Sequence, residues 1–175
     1  MRSLSFFTLF LFFCLQLKAQ NNNFPAGWVG HWKGELQWFK TGKAEPQKVN
    51  MELHIQPGDS TNSYTWQIIY GSATEDNRPY ILKPKDPATG HWQIDERNGI
   101  ILDQFWVGNR FCGAFTVQNN TIINNYQLVD GKLEVEFYSM GAKPLVTTGN
   151  GTEDSPKVDS YRIGSFQKAV LTKVN

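Results

Sequence analysis

The fold of this chain is decided by the stretch WQIDERNGIILDQFWVGNRFCGAFTVQNNTIINNYQLVDGKLEVEFYS, which runs from Trp92 to Ser139. Four turn dipeptides divide it at intervals of ten or eleven residues: Asn98-Gly99, Gly108-Asn109, Asn119-Asn120 and Asp130-Gly131. These residue types tolerate the positive φ angles that two-residue hairpin turns require. The stretch therefore predicts five antiparallel strands that follow one another as a meander.

Alternation of apolar and polar residues predicts further strands on both sides of the meander. Apolar side chains occupy every second position in 49–55 and in 64–70, as expected for half-buried strands. We expect the strands outside the meander near 28–39, 48–56, 63–71, 78–83 and 160–173. No stretch shows the apolar spacing of an amphipathic helix over three turns. The count is about ten strands.

So many antiparallel strands in one small domain must either form a sandwich or close into a barrel. A run of nearest-neighbour hairpins favours closure, because a closed sheet has no exposed edge. We therefore predict an all-β fold consisting of a single antiparallel up-and-down β-barrel of about 8–10 strands. A β-sandwich is the alternative.

The N-terminus has the features of an export signal. A positive start at Arg2 precedes an apolar run from Leu4 to Leu17, and Ala19 is the small residue that signal peptidase favours. The apolar run spans about 21 Å as a helix, short of the roughly 30 Å of a membrane anchor. We expect residues 1–19 to be a cleaved signal peptide, residues 20–175 to form one barrel domain, and the protein to be secreted or periplasmic.

The expected mature chain is close to electrically neutral. Cleavage would remove Arg2 and Lys18 from 17 basic residues and leave all 16 acidic ones. A chain without a basic cluster has no electrostatic footprint for nucleic acid or for an anionic membrane. Cleavage also leaves Cys112 as the single cysteine, so no internal disulfide is expected. We expect Cys112 to be a small buried hydrophobic residue.

The first predicted strand carries the motif Gly30-His31-Trp32, extended by Gly34 to G-x-W-x-G. This motif resembles the start of the lipocalin and fatty-acid-binding (calycin) superfamily of barrels, and it is similar to the start of the nitrobindins. The resemblance implies a lipocalin-like barrel whose Trp32 packs across the closed end, with a small apolar ligand held inside. It also implies an arginine stacked on that tryptophan, and Arg162 is the candidate. The fatty-acid-binding proteins differ, since the connection at 40–47 is too short for their helical pair.

Linear motifs for catalysis or for cofactor binding are absent from the sequence. The three histidines, His31, His54 and His91, share no short-spaced ligand motif with one another or with Cys112. A haem site of the nitrobindin kind needs a histidine late in the chain, and none follows His91. The nucleophile motif G-x-S-x-G does not occur either. We therefore assign no catalytic residue, metal or cofactor from the sequence.

A pocket inside such a barrel should be lined by aromatic residues with a few polar groups. We expect Gln104 or Asp103 to project inward as a polar anchor, and we expect the loop 141–160 to form a flap over the open end. The candidate ligand-binding residues are Trp66, Tyr70, Arg78, Tyr80, Trp92, Gln104, Trp106, Asn124, Tyr126 and Phe137.

The expected function is binding of a small hydrophobic or amphipathic molecule, with Arg78 or Asn124 meeting its polar head. The same aromatic side chains fill the core in many small barrels. The alternative is therefore a barrel with a filled interior that acts as a structural or surface-interaction protein through exposed aromatics such as Trp28 or Trp38. A third hypothesis is a barrel isomerase or cyclase.

Overall fold

A computed structural model describes residues 23–174 of the chain, and the expected signal peptide at 1–19 lies outside them. Single turns of 3-10 helix occupy Ala26–Trp28 and Pro87–Thr89. No helix in 23–174 has both the length and the apolar character needed to cross a membrane. The strands are β1 (Gly30–Lys40), β2 (Gln47–Ile55), β3 (Tyr64–Tyr70), β4 (Asp76–Asp86), β5 (His91–Asp95), β6 (Ile101–Val107), β7 (Arg110–Val117), β8 (Asn120–Val129), β9 (Lys132–Gly141), β10 (Val146–Thr148), β11 (Val158–Ser160) and β12 (Ile163–Val174).

Ten of these strands close into one antiparallel barrel. Consecutive strands pair with each other from β1 through β9, and β12 lies between β9 and β1 and closes the sheet. The prediction of an up-and-down barrel is thereby confirmed, and the sandwich is excluded. The five-stranded meander corresponds to β5–β9.

The segment 141–160 is more ordered than the expected long loop. Strands β10 and β11 pair with each other and form a short ribbon that is separate from the barrel. The ribbon joins the end of β9 to the start of β12, so the single strand expected at 160–173 begins at Ile163. In the ribbon, Thr147 pairs with Asp159 and Thr148 pairs with Val158. This pairing gives the segment its own local structure.

One end of the barrel, called here the closed end, is packed with aromatic side chains. The 3-10 turn that precedes β1 lies across this end, and Phe24 packs against four rings. Its ring centroid is 5.0 Å from that of Trp28, 5.4 Å from Trp92, 4.8 Å from Trp106 and 4.5 Å from Phe111. Trp28 is completely buried, so the expectation that it is an exposed interaction residue is wrong. The N-terminal turn acts as a plug of the closed end.

The motif at the start of β1 holds the closed end together. The indole nitrogen of Trp32 donates a hydrogen bond to the carbonyl oxygen of Trp28 at 2.8 Å. A Cβ atom at Gly34 would lie 2.5 Å from the carbonyl oxygen of Val170, so only glycine permits this approach of β12. A Cβ atom at Gly30 would meet only the movable end of the Lys173 side chain. Gly34 is thus the residue that lets β12 lie tightly against β1.

The cation over Trp32 is Lys173 and not Arg162. Lys173 pairs with Trp32 across β1 and β12, and its ammonium nitrogen lies 5.6 Å from the centroid of the indole ring. Arg162 precedes β12 and lies beyond the pair formed by Lys40 and Ser165. It is therefore more than about 25 Å along the strand direction from Trp32, given a rise of about 3.3 Å per residue. The assignment of Arg162 as a barrel-closing residue is wrong because of the direction of β12.

Candidate functional site

The opposite end of the barrel, called here the open end, contains a cavity of about 590 Å³. It lies at the end of the barrel where β1 ends at Lys40 and where β8 begins at Asn120. Inward-facing apolar side chains form most of its wall, because every second residue of a barrel strand points inward. They are Leu36, Val49, Tyr70, Phe115, Ile122 and Phe137. The volume lies within the range of about 300–1,000 Å³ that is usual for small-molecule sites.

Trp38 lies in the wall of this cavity, which corrects its expected role as an exposed interaction residue. It shares the inward face of β1 with Leu36, and Lys40 places its ammonium group 4.3 Å from the centroid of the Trp38 ring. The indole nitrogen of Trp38 is buried and has no hydrogen-bond partner among residues 23–174.

The charged residues of the wall are Lys48 of β2 and an ion pair on β4. The Nε atom of Arg78 donates to one carboxylate oxygen of Asp76 at 2.9 Å, and its Nη2 atom donates to the other at 2.7 Å. These bonds lower the pKa of Asp76 and raise that of Arg78, so both groups are ionised at neutral pH. A guanidinium carries five N–H donors, so Arg78 retains donors for a ligand.

Arg78 also contacts the aromatic wall of the cavity. Its guanidinium carbon lies 4.8 Å from the centroid of the Tyr70 ring. Burial raises the pKa of Tyr70 to about 12, so its hydroxyl is neutral and can both donate and accept a hydrogen bond. Asp76 is the acid at this wall, and its lowered pKa is the opposite of what a general acid near neutral pH requires. The arrangement is suited to binding a polar group rather than to proton transfer.

A second void of about 80 Å³ lies beside the main cavity and shares Tyr70, Arg78, Phe115 and Phe137 with it. Its distinctive feature is a pair of buried amides. The Asn124 amide nitrogen donates to Gln104 at 2.7 Å, and the Gln104 amide nitrogen donates to Asn124 at 3.3 Å. The pair satisfies both amides, which is what burial of polar groups requires.

The amide pair occupies space that a missing side chain leaves free. Gly113 of β7 faces inward beside Gln104, and a Cβ atom at this glycine would collide with the Gln104 amide. Gln104 therefore reaches across to Asn124 only because residue 113 has no side chain. Of the two residues expected to project inward as a polar anchor, Gln104 does so and is buried. Asp103 lies on the outer surface and accepts a hydrogen bond from His91 at 2.8 Å.

The structure divides the ten candidate ligand-binding residues into three groups. Tyr70, Arg78 and Phe137 line the main cavity. Tyr80, Gln104, Asn124 and Tyr126 line the smaller void beside it. Trp66, Trp92 and Trp106 belong to the aromatic packing of the closed end and line neither space.

Several wall residues escaped the prediction although the sequence carried a signal for them. Leu36 and Trp38 share the alternation of Trp32, which places them on the same inward face. Phe115 and Ile122 are paired across β7 and β8, on either side of the predicted turn at 119–120. Counting inward positions from the turns would have selected all four. What the alternation does not show is which end of the barrel is empty.

Two other expectations concern the surroundings of the site. Cys112 is half-buried on the outer face and donates a weak hydrogen bond to Asn125 at 3.4 Å, so it is not the fully buried residue expected. Burial raises the pKa of its thiol, which disfavours the reactive thiolate.

The ribbon of β10 and β11 leaves the barrel at the open end, but no residue of 141–160 lines the cavity. The segment does not form a flap over it.

The fold and the cavity define a closed ten-stranded antiparallel barrel that is filled at one end and open at the other. Its architecture is similar to the crystal structure of a protein of unknown function from the DUF3598 family of Nostoc punctiforme, with a TM-score of 0.59 and 12% identity. The match covers 83% of this chain and 47% of that protein, so the chain spans about half the length of its structural neighbour. No protein-family model matches the sequence, and none of the curated proteins does.

Proposed function

We propose that this protein binds one small amphipathic molecule in the open-end cavity. The observation that carries the proposal is a cavity of about 590 Å³ whose wall combines apolar side chains with polar ones, among them the ion pair of Arg78 and Asp76. The apolar body of the ligand lies against Phe115, Ile122 and Phe137. Its head accepts hydrogen bonds from Arg78, whose ion pair with Asp76 keeps the guanidinium in place. A head with carboxylate, sulfonate or phosphate oxygens suits these donors best.

Two further inferences belong to the same proposal. The glycines at 30 and 34, together with the cation over Trp32, support a relationship with the lipocalin-like barrels. The signal-like segment at 1–19 supports export, so the ligand would be met outside the cytoplasm. Native mass spectrometry of protein purified from its own exported compartment tests both the ligand and the address, because a bound molecule adds its mass and a removed signal subtracts its own.

The binding site itself can be tested with anilinonaphthalene sulfonate, an anionic amphipathic dye that fluoresces in apolar surroundings. We expect saturable binding of one dye per chain. Ile122→Trp places a large ring in the cavity and should weaken binding at least tenfold. Ile123→Trp is the matched control, because Ile123 is the next residue of β8 and is exposed on the outer face. It should bind the dye like the natural protein.

The contribution of the polar head is tested separately with Arg78→Met. This variant keeps the length of the side chain and removes the charge, so dye binding should fall several-fold while competition by dodecanol, which has no charged head, should be unchanged. Equal binding by the Ile122→Trp and Ile123→Trp variants would place the dye on the outer surface and overturn the proposal. So would the absence of saturable binding to the natural protein.

A further inference from the structure

Two histidines and a glutamate meet on the outer face of the barrel, at the closed end and away from the cavity. His31 of β1 and His54 of β2 are directly opposite each other in the pairing of the two strands. Glu52 lies two residues before His54 on the same strand, so alternation places both on one face. The imidazole centroids of His31 and His54 are 3.6 Å apart. Strand pairing therefore joins residues that are far apart in the sequence.

The three side chains converge on a single point. The Nε2 atom of His31 and the Nε2 atom of His54 each lie 2.8 Å from the same oxygen of Glu52, Oε2. All three potential ligand atoms are within 4.8 Å of one another. The side chains are half-buried, so the cluster is partly shielded yet reachable from solvent.

The Glu52 carboxylate contacts a lysine as well as the two histidines. The Lys33 ammonium lies 2.9 Å from Oε1, the oxygen that neither histidine touches. This ion pair fixes the orientation of the carboxylate and leaves Oε2 directed at the two imidazoles. Such hydrogen bonding of a ligating carboxylate is usual around metal ions.

We propose that His31, Glu52 and His54 bind a zinc ion through the Nε2 atoms of the two imidazoles and the Oε2 atom of the glutamate. Two imidazoles and one carboxylate are a common zinc donor set when the fourth position is left open to solvent. Nitrogen ligands favour zinc over calcium or magnesium, which prefer oxygen. The site lies outside the barrel, so it is independent of ligand binding in the cavity.

Binding requires a small local adjustment and no change in the fold. Zinc bonds of about 2.0–2.1 Å at tetrahedral angles separate ligand atoms by about 3.3 Å, against the present 2.8 Å between each imidazole nitrogen and Oε2. The ion takes the place of the N–H protons now directed at Oε2, and each neutral imidazole then carries its proton on Nδ1. The charge of Lys33 repels a dication, so we expect micromolar rather than tighter affinity.

Isothermal titration calorimetry with zinc chloride tests the proposal on the folded protein. We expect one zinc ion per chain with a micromolar dissociation constant, and at least tenfold weaker binding for His54→Ala and for Glu52→Gln. His91→Ala is the matched control. His91 lies on the outer face and contacts the carboxylate of Asp103 at 2.8 Å, but in that pair it is the single imidazole, so its loss should leave binding unchanged.

A thermal-unfolding measurement distinguishes loss of the site from loss of the fold. Excess zinc should raise the melting temperature of the natural protein and of His91→Ala, because an ion that binds only the folded state stabilises it, and it should not raise that of His54→Ala. Cys112→Ser should bind zinc normally, which excludes the thiol as the ligand. Equal loss of binding in His54→Ala and His91→Ala would overturn the proposal, as would a natural protein that takes up no stoichiometric zinc below about 100 μM.

Discussion

The buried amide pair between the packed and the open half of the barrel gives the sharpest test of how this interior is built. Gln104 is 1% exposed and Asn124 is 3% exposed, and each donates to the other. Asn124→Leu keeps a side chain of similar size and removes both polar atoms. The perturbation therefore leaves the whole Gln104 amide buried without a partner.

The magnitude follows from that orphaned amide. A buried polar group that loses its partner costs about 1–3 kcal/mol. One of the two hydrogen bonds is long, at 3.3 Å, so its loss adds little beyond the 2.7 Å bond. We expect Asn124→Leu to lower the free energy of unfolding by about 2 kcal/mol, and Gln104→Met to do the same. When both are made apolar no orphan remains, so the double variant should lose less than about 1 kcal/mol.

Urea unfolding followed by tryptophan fluorescence measures these differences. Asn125→Leu serves as the control, because Asn125 is the next residue of β8 and faces outward, where it makes only long hydrogen bonds with Cys112 at 3.4 Å and Glu136 at 3.2 Å, and it should lower the free energy of unfolding by less than about 1 kcal/mol. Additive losses in the double variant would refute the reasoning, since they would mean that the two amides do not depend on each other. A loss below about 0.5 kcal/mol in Asn124→Leu would show instead that water in the small void satisfies Gln104.

Three further predictions concern the plug, the closed end and the cavity wall. Phe24→Ala removes a ring packed on four others and should lower the free energy of unfolding by about 3 kcal/mol, measured by urea unfolding; a loss near zero would mean that the plug is not part of the core. Lys173→Met should cost about 0.5–1 kcal/mol through the lost interaction with the Trp32 ring, whereas Arg162→Met should cost nothing, and the reverse order would restore the arginine assignment. Burial raises the pKa of Tyr70 to about 12, so its neutral hydroxyl favours the folded state below pH 10, and this contribution to the free energy of unfolding is lost as the pH rises through 12. Ionisation of tyrosine is followed by the increase in absorbance at 295 nm. Tyr70→Phe should reduce the increase that occurs near pH 12 and leave the increase near pH 10 unchanged.

The barrel could be predicted because its strands are joined by local turns. Gly99, Gly108 and Gly131 have positive φ angles at three of the four turn dipeptides that the sequence indicates. At the remaining turn the positive φ falls on Gln118, one residue before the expected pair. Each hairpin forms between neighbours in the chain, so a correct set of turns and a period of two lead directly to the meander.

Strand register could not be predicted in the same way, and two conclusions depended on it. The cation over Trp32 is Lys173 because β12 runs past β1 with Lys173 opposite Trp32, and nothing in the local sequence of β12 states that alignment. The pairing of His31 with His54 has the same origin, since only the register of β1 against β2 places them opposite each other. Short-spaced motifs do not capture such contacts.

The distribution of empty space was also beyond the sequence pattern. Inward residues alternate in the same way at both ends of each strand, so Trp66 and Tyr70 of β3 look equivalent in the sequence. The difference arises from Phe24, which precedes the first strand and fills the closed end from outside the sheet. No comparable side chain from 141–160 enters the open end.

Cys112 is the single cysteine among residues 23–174 and is free, so no disulfide stabilises this part of the chain. The different packing of the two ends explains how such a barrel can hold a cavity. Atoms that face an empty space lack the dispersion contacts that packed atoms gain, so a cavity destabilises the fold that surrounds it. Here the rings of Phe24, Trp28 and Trp66 concentrate packing at the closed end, where it stabilises all ten strands through their common sheet. The open-end wall can then remain short of contacts. The proposed ligand would gain affinity from the wall itself if its apolar body restored those contacts, and Arg78 would then need only to select its head.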